Sequence, residues 1–343
     1  MTDAQPLVAE DADMKGAAGE LRLPTVSVII PVKQINAYAR EAVHEVNRQF
    51  PECQVLVIPD CDEGVELDGA TVVASWPITS PGEKRDLAVR LATGEVVAFL
   101  DDDAYPDANW LASSLRHFAD DNVAAVGGPG VTPPSSDPRQ RASGWVLASF
   151  LGSGGCTYRF RPGKRRYVDD LPSMNLLVRR SDFEEAGGFR CHYWPGEDTE
   201  LCRKLVSVLG KRIVYEPDAL VYHHRRAVFR AHLRQQARYG LHRGHFARRF
   251  AGNSRRIAYA IPTLFTLGLL LGPFAAATYP ISLLLYSAAI CIYIAALLVT
   301  GAWVWHHDRD FGVVVLTVAG IFTTHIVYGL SYLKGIFSSE LSH

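Results

Sequence analysis

The chain has 343 residues, of which 48% are hydrophobic, and a formal net charge of −1. This balance hides an acidic part, residues 1–224 with 23 Lys or Arg against 33 Asp or Glu, and a basic part, residues 225–343 with 12 against 3. Six cysteines occur without a C-x-x-C spacing, which argues against a zinc site and a dense disulfide framework. The composition therefore predicts an acidic globular part followed by a segment of a different kind.

The acidic part begins with a polar tail and continues as an alternating α/β pattern. Residues 1–24 lack the basic start and apolar run of a signal peptide, so we expect a disordered tail. Residues 25–224 alternate apolar or β-branched runs with helical stretches, which predicts an α/β domain with mostly parallel strands and a ligand site at their carboxyl ends. The predicted strands are Val26–Val32, Gln54–Ile58, Thr71–Ala74, Glu95–Leu100 and Val123–Gly127, and the predicted helices are Ala37–Phe50, Pro81–Ala92 and Asp107–His117.

Three consecutive carboxylates follow the apolar run that ends at Leu100. In extended chain, residues two apart face the same way, so Asp101 and Asp103 are able to converge on one ion. Carboxylate oxygens suit Mg²⁺ or Mn²⁺, which in turn can bridge a diphosphate. The alternative is a solvated acidic loop, and the position after a buried strand favours the metal site.

An ordered set of motifs resembles the family 2 glycosyltransferases with a GT-A fold. The matching segments are GEKRDLA at 82–88, ATGEVVAFLDDD at 92–103, GGF at 187–189, GED at 196–198 and QQARY at 235–239. The resemblance covers roughly residues 25–240. It implies a GT-A (Rossmann-like) nucleotide-sugar-binding domain and a sugar transfer.

The resemblance implies roles for the acidic motif residues. Asp101 is expected to contact the nucleoside and Asp103 to bind the metal. In the E-D pair of Glu197 and Asp198, Asp198 is expected to act as general base, because a sugar hydroxyl is a poor nucleophile until its proton is removed. The alternative for this pair is a helix start with favourable dipole placement, since Leu201 continues at helical spacing.

Further residues match the family around the nucleotide. Asp60 corresponds to an acid that binds the base, Arg85 to a basic residue near the nucleotide, and Pro31 to the strand end where the nucleotide pocket begins. A surface charge is the alternative for Asp60 and Arg85. His223 is expected as a third metal ligand, because imidazole beside two carboxylates suits Mn²⁺. The sequence alone does not decide between His223 and His224 for this role.

Further residues are candidate contacts to the acceptor sugar and to the diphosphate leaving group. Gln235 and Arg238 lie three apart on a predicted helix, so both side chains can face one ligand, and Arg238 would neutralise the diphosphate. Tyr239 replaces the family's tryptophan beneath the acceptor sugar. Trp194 is a further stacking candidate or an ordinary core aromatic. Arg238 could equally be one of many arginines facing the membrane.

Residues 225–256 carry ten arginines, three histidines and no acid directly before a long apolar stretch. The positive-inside rule places this segment and the preceding domain in the cytoplasm. Leu233, Ala237, Leu241 and Phe246 fall near helical spacing, which predicts a helix in the membrane surface that contacts lipid. Nucleic acid is the alternative polyanion, but the adjacent membrane segment favours lipid headgroups, so we expect no nucleic-acid partner.

Three apolar runs within residues 257–335, at about 257–278, 281–305 and 311–333, are each long enough to cross the bilayer as a helix. Three buried helices of a soluble domain are the alternative. Three crossings would place the C-terminus outside. We therefore expect a multi-pass protein of the cell (inner or plasma) membrane with a cytoplasmic catalytic domain.

Together with the resemblance, these features imply an inverting, metal-dependent glycosyltransferase. The expected donor is a nucleotide-diphosphate sugar, most simply a UDP-sugar, and the expected acceptor is lipid-linked or a growing cell-surface glycan. Alternatives are a polyprenyl-phosphate glycosyltransferase, a processive polysaccharide synthase and a membrane-tethered nucleotide-sugar-binding scaffold. Few helices argue against an export channel, and the presence of Asp103 and Asp198 argues against the scaffold.

Overall fold

The computed structural model of the chain describes residues 22–190, 196–249 and 257–338. The expectations for residues 1–21 of the tail, for Trp194 and for residues 250–256 of the basic segment lie outside this part. The chain divides into two compact units. The first unit contains the residues up to Val131 and Arg161–His223, and the second contains Thr132–Phe160 and the residues from His224 onwards. Residues 132–160, which sequence analysis included in one continuous domain, therefore belong to the second unit.

The secondary structure of the first unit alternates as the sequence predicts. Its strands are β1 (Val26–Pro31), β2 (Gln54–Ile58), β3 (Thr71–Val72), β4 (Val96–Leu100), β5 (Ala104–Pro106), β6 (Val123–Gly127), β7 (Gly130–Val131), β8 (Arg166–Val168), β9 (Asn175–Arg179), β10 (Arg212–Tyr215) and β11 (Val221–His223). The α-helices of the described residues are α1 (Ala37–Gln49), α2 (Pro81–Val89), α3 (Trp110–Leu115), α4 (Pro138–Ala148), α5 (Phe150–Ser153), α6 (Arg180–Glu185), α7 (Glu197–Arg203), α8 (Arg230–Arg249), α9 (Ile257–Ala276), α10 (Pro280–Asp308) and α11 (Phe311–Phe337). Of these, α4, α5 and α8–α11 lie in the second unit.

The main sheet has the strand order β3-β2-β1-β4-β9-β6-β10-β8. Strands β3, β2, β1 and β4 are parallel, whereas β9 runs antiparallel to both β4 and β6. The sheet is therefore mixed, and the sequence analysis missed β9 because a short, largely buried run has no apolar–polar alternation that marks it as a strand. Parallel β1, β2 and β4 bring Pro31, Ile58 and Leu100 to the same edge.

A smaller sheet, in the order β5-β11-β7, forms beside that edge. Strand β11 pairs antiparallel with β5, and His223 lies opposite Ala104 in the register. Strand β5 begins directly after the three carboxylates. The pairing with β5 therefore places the end of β11 next to these carboxylates. The sequence separation between the two strands is more than a hundred residues, so only the sheet register brings them together.

Helix α1 illustrates how the sequence shapes the first unit. Ala39, Ala42, Val43 and Val46 are buried at the spacing of one helical face. The Asn36 side chain caps the helix by accepting a hydrogen bond from the Ala39 backbone N–H at 3.0 Å. The apolar face packs with the buried residues of the sheet into one core.

In the second unit, α9, α10 and α11 have 20, 29 and 27 residues and are long and apolar enough to cross a membrane. Helix α8 lies against α11. A Cβ added at Gly244 would lie 2.1 Å from the Tyr332 carbonyl oxygen, so only glycine permits this close approach of the two backbones. Phe246, which the sequence analysis expected to contact lipid, is buried.

Candidate active site

The end of β4 delivers two carboxylates to one point. Asp101, Asp103 and His223 each offer one ligand atom, and these three atoms lie within 4.8 Å of one another. His223 reaches this point because β11 pairs with β5, and its Nε2 lies 2.9 Å from an Asp103 carboxylate oxygen. Two carboxylate oxygens and an imidazole nitrogen form a donor set that Mn²⁺ accepts. The three side chains are partly exposed, which leaves room for ligands from a bound substrate.

Arg85 of α2 lies beside this cluster and is almost fully buried. Its guanidinium forms an ion pair with Asp101 at 2.7 Å and a longer one with Glu197 at 3.4 Å. The guanidinium also lies over the ring of Phe189, 5.4 Å from its centroid. The buried Arg85 guanidinium therefore connects the end of β4 with the start of α7. The sequence analysis expected Arg85 near the nucleotide.

Lys84, the residue before Arg85, is a second buried cation that the sequence analysis missed. Its ammonium forms an ion pair with Asp60 at the end of β2 and donates to the Val32 carbonyl oxygen at 2.6 Å. The side chains of consecutive helical residues point about 100° apart, so Lys84 and Arg85 pair with different carboxylates. The signal that the sequence offered was a pair of adjacent bases in a helix that lies between β2 and β4, two strands that are each closely followed by an acid.

Glu197 is buried at the start of α7. Burial, together with the charge of Asp198, raises the pKa of Glu197 to about 7 against the opposing charge of Arg85. Its carboxylate also accepts a hydrogen bond from the Gly196 N–H at 3.0 Å. This group is therefore poised to change its protonation state near neutral pH.

Asp198 is less buried than Glu197, and its carboxylate accepts a hydrogen bond from the Thr199 backbone N–H at 2.8 Å. A carboxylate in this setting can accept a proton from a ligand. Both roles considered for the E-D pair, helix start and general base, are compatible with this position because one carboxylate oxygen suffices for the backbone bond.

Asp102, the middle carboxylate, is tied to the first helix. Its Oδ2 accepts a long hydrogen bond from the Asn36 side chain at 3.4 Å. Burial and the charges of Asp103 and Asp101 raise the pKa of Asp102 to about 6. Asp102 thus anchors the loop, while Asp101 and Asp103 at either side of it converge with His223.

The remaining candidates occupy different places. Pro31 ends β1 opposite Ile58 of β2, on the edge where Asp60 follows. Gln235, Arg238 and Tyr239 lie on α8 in the second unit, where the Gln235 amide donates to the Tyr239 hydroxyl at 3.3 Å. Arg238 and Tyr239 are exposed.

Gly187 and Gly188 precede Phe189, whose aromatic ring lies under Arg85 and is called the platform below. Gly188 has a φ of +68°, and a Cβ there would lie 2.4 Å from an Asp86 carboxylate oxygen. The same oxygen accepts the Phe189 N–H at 2.9 Å, and the Phe189 ring packs against Phe99 with centroids 5.0 Å apart. The motif at 187–189 therefore holds the aromatic ring on which Arg85 lies.

The chain matches the family model described as glycosyl transferase family group 2 over residues 96–306, and it belongs to this family. The pre-mycofactocin glycosyltransferase of Mycobacterium tuberculosis is 34% identical over 223 residues, 63% of this chain and 46% of that protein. The glucosyl-dolichyl phosphate glucuronosyltransferase of Haloferax volcanii is 25% identical over 146 residues, 40% of this chain and 46% of that protein. The chain spans about half the length of these curated relatives.

Solved structures show the fold. A mannosyltransferase from Pyrobaculum calidifontis, solved in complex with GDP-Man and Mn²⁺, superposes with a TM-score of 0.53 at 20% sequence identity. The match covers 93% of this chain and 89% of that chain. The expectation of a GT-A glycosyltransferase fold followed by apolar C-terminal helices is confirmed.

Proposed function

We propose that the chain is an inverting glycosyltransferase that moves a sugar from a nucleotide-diphosphate donor to a lipid-linked or cell-surface glycan acceptor at the cytoplasmic face of the membrane. The observation that carries this proposal is the convergence of Asp101, Asp103 and His223 at the end of β4. These three residues would hold a Mg²⁺ or Mn²⁺ ion, which would supply positive charge that stabilises the diphosphate leaving group. The Mn²⁺ and GDP-Man bound by the mannosyltransferase from Pyrobaculum calidifontis support a metal and a nucleotide sugar.

Asp198 is the proposed general base. Inversion requires a single displacement at the anomeric carbon, with the acceptor hydroxyl losing its proton as it attacks. Asp198 is more exposed than Glu197, so it is the member of the pair that an acceptor can reach. Arg85 and Lys84 hold Asp101 and Asp60 in place for the donor. On α8, Gln235, Arg238 and Tyr239 are the proposed contacts to the diphosphate and the acceptor.

The relatives indicate two acceptor classes. A lipid-linked acceptor is favoured by the Haloferax volcanii relative, a glucosyl-dolichyl phosphate glucuronosyltransferase, and by three helices able to cross a membrane. A second candidate acceptor is pre-mycofactocin, because the relative of that name is 34% identical. A panel of both acceptors with UDP- and GDP-sugars separates these candidates and identifies the nucleobase.

The test separates binding from catalysis with two variants of the full chain in lipid nanodiscs. Asp198→Asn should retain nucleoside-diphosphate affinity in the presence of Mn²⁺ and lose transfer by about 10²–10⁴-fold, the usual contribution of general acid–base catalysis. Asp103→Asn should lower the affinity for the nucleoside diphosphate as well as the rate of transfer. Asp121→Asn, at a carboxylate that is 99% exposed, is the matched control and should change neither. Near wild-type transfer by Asp198→Asn would remove the general-base assignment.

A further inference from the structure

A buried carboxylate of the first unit is surrounded by three basic side chains. Glu216 follows β10, and its side chain is fully buried. One oxygen of its carboxylate, Oε2, lies 2.9 Å from Arg116 Nη2, 2.8 Å from His117 Nε2 and 2.6 Å from Arg165 Nε. The other oxygen accepts the Asp218 backbone N–H at 3.2 Å. Both carboxylate oxygens of Glu216 are therefore occupied.

The charge of Glu216 is constant near neutral pH. Burial raises the pKa of Glu216, but the hydrogen bonds with His117, Arg116 and Arg165 outweigh burial and lower this pKa to about 2. The carboxylate is therefore ionised throughout the neutral range. One guanidinium is sufficient to neutralise it, so a second guanidinium beside the same oxygen adds positive charge in excess of what Glu216 requires.

Both guanidinium groups extend from Glu216 to the protein surface. The side chains of Arg116 and Arg165 are 48% and 45% exposed. Each contacts Glu216 through one nitrogen, and a guanidinium has five N–H groups, so each has donors beyond this pair. Lys164 is exposed directly before Arg165, and the exposed Asp218 carboxylate supplies one further negative charge. Three permanent positive charges therefore accompany two negative ones, and the local charge remains positive.

The loop that carries Lys164 and Arg165 is fixed in position. Tyr215 of β10 is fully buried, and its hydroxyl accepts the Gly163 N–H at 3.1 Å and donates to the Arg161 carbonyl oxygen at 3.3 Å. Strand β8 begins directly after Arg165 and pairs with β10. A loop that is already ordered loses less conformational entropy when it binds a ligand. The basic side chains are therefore presented on a preorganised surface.

The arrangement matches the chemistry of phosphate recognition. Guanidinium groups present their N–H donors in a plane that fits two oxygens of a phosphate, and an ammonium group is a common second phosphate contact. We propose that Arg116, Lys164 and Arg165 form a binding site for a phosphate group, separate from the candidate metal site. This phosphate belongs either to a soluble anion or to a lipid headgroup. The proposal does not depend on the proposed reaction.

The first test uses inorganic phosphate and the full chain in detergent, without divalent metal. Phosphate should raise the melting temperature of the wild type in a saturable manner, whereas potassium chloride of equal ionic strength should not. Lys164→Gln and Arg165→Gln should each raise the half-saturating phosphate concentration at least about tenfold, because each removes charge-assisted hydrogen bonds. Arg165→Gln also removes a partner of Glu216, whereas Lys164→Gln leaves the contacts of Glu216 in place.

Arg48→Gln is the matched control. Arg48 is an exposed arginine of α1 in the same unit, with a side chain 58% exposed, and it pairs with Glu45 at 2.6 Å. Its phosphate response should equal that of the wild type. A loss in Arg48→Gln as large as that in Lys164→Gln would show a general effect of net charge and would overturn the proposal.

The second test uses a lipid phosphate. The same variants are unfolded in nanodiscs of phosphatidylcholine alone or mixed with phosphatidic acid. If the phosphate belongs to a lipid, phosphatidic acid should raise the melting temperature of the wild type and of Arg48→Gln more than that of Lys164→Gln. A difference with inorganic phosphate alone identifies a soluble anion, and a difference with phosphatidic acid alone identifies a lipid headgroup. Equal responses of the wild type and Lys164→Gln to both probes would refute the site.

Discussion

Replacing Glu197 by glutamine should change how stability depends on pH. The folded-state pKa of Glu197 is about 7, against an ordinary pKa of 4.5 for a glutamate side chain. The folded protein therefore keeps a proton that the unfolded chain releases, and stability falls as the pH rises from about 4.5 to 7. At 1.36 kcal/mol per pKa unit, ionising the buried carboxyl costs on the order of 3 kcal/mol, all of it present above pH 7.

Glu197→Gln keeps the shape and the oxygen that accepts the Gly196 N–H but has no charge to bury. The stability of the variant relative to wild type should therefore rise by about 3 kcal/mol between pH 4.5 and 8. For a unit of this size, 1 kcal/mol shifts the melting temperature by about 2–4 °C, so the relative shift should be roughly 6–12 °C. The assay is thermal unfolding of the detergent-solubilised full chain without metal, at pH steps across this range.

Glu200→Gln is the matched control, because Glu200 lies on the same helix and pairs with Arg203 at 2.7 Å in a more exposed position. Its melting curve should follow the wild-type pH profile. Parallel pH profiles for wild type and Glu197→Gln would refute the reasoning, since they would mean that burial and the Asp198 charge do not raise the pKa of Glu197 in the folded protein.

Two further predictions concern the platform and the proposed metal. Gly187→Ala meets no atom within 4 Å and should cost about 1–2 kcal/mol for its positive φ, as measured by thermal unfolding. Gly188→Ala should cost about 1.5–3 kcal/mol more, because its Cβ displaces the Asp86 carboxylate from the Phe189 N–H; equal costs would contradict this. His223→Ala should weaken Mn²⁺ binding at least about tenfold in a spin-resonance titration with nucleoside diphosphate, whereas the neighbouring His224→Ala should not.

Local patterns were sufficient to predict much of the first unit. The predicted strands Gln54–Ile58 and Val123–Gly127 match the observed bounds, and the predicted helix Ala37–Phe50 ends one residue later than α1. These elements have clear periodicity or are bounded by turn residues. Strand β9 was not predicted, because its place and direction in the sheet depend on pairing with β4 and β6.

In the candidate site, too, local patterns predicted some residues, whereas others depend on contacts between distant parts of the chain. Asp101 and Asp103 were predicted to converge from the alternation of an extended chain alone. The position of His223 depends on the β5–β11 pairing, and sequence reasoning reached it through family resemblance. Lys84 was missed, because nothing local distinguishes a buried ion-paired lysine from a lysine on a solvated helix face.

Hydropathy alone could not predict the environment of α11. Its composition is that of a crossing helix, with a mean hydropathy of 1.9 over its most apolar window, and α10 reaches 2.4. The two helices differ in burial: a third of that window is buried in α11 and none in α10. Hydropathy sums over all sides of a helix, so it does not show that one side of α11 is covered by protein.

The balance of charge explains why a divalent cation fits the strand edge. Lys84 and Arg85 are the buried cations beside it, and each is already paired with a carboxylate, Asp60 and Asp101. Asp103 and Asp198 add further negative charge close to the same edge, and a nucleoside diphosphate would add more. An ion with charge +2 held by Asp101, Asp103 and His223 would offset this excess. Arg85→Lys should therefore weaken donor binding less than Asp103→Asn, because a lysine keeps the positive charge beside Asp101.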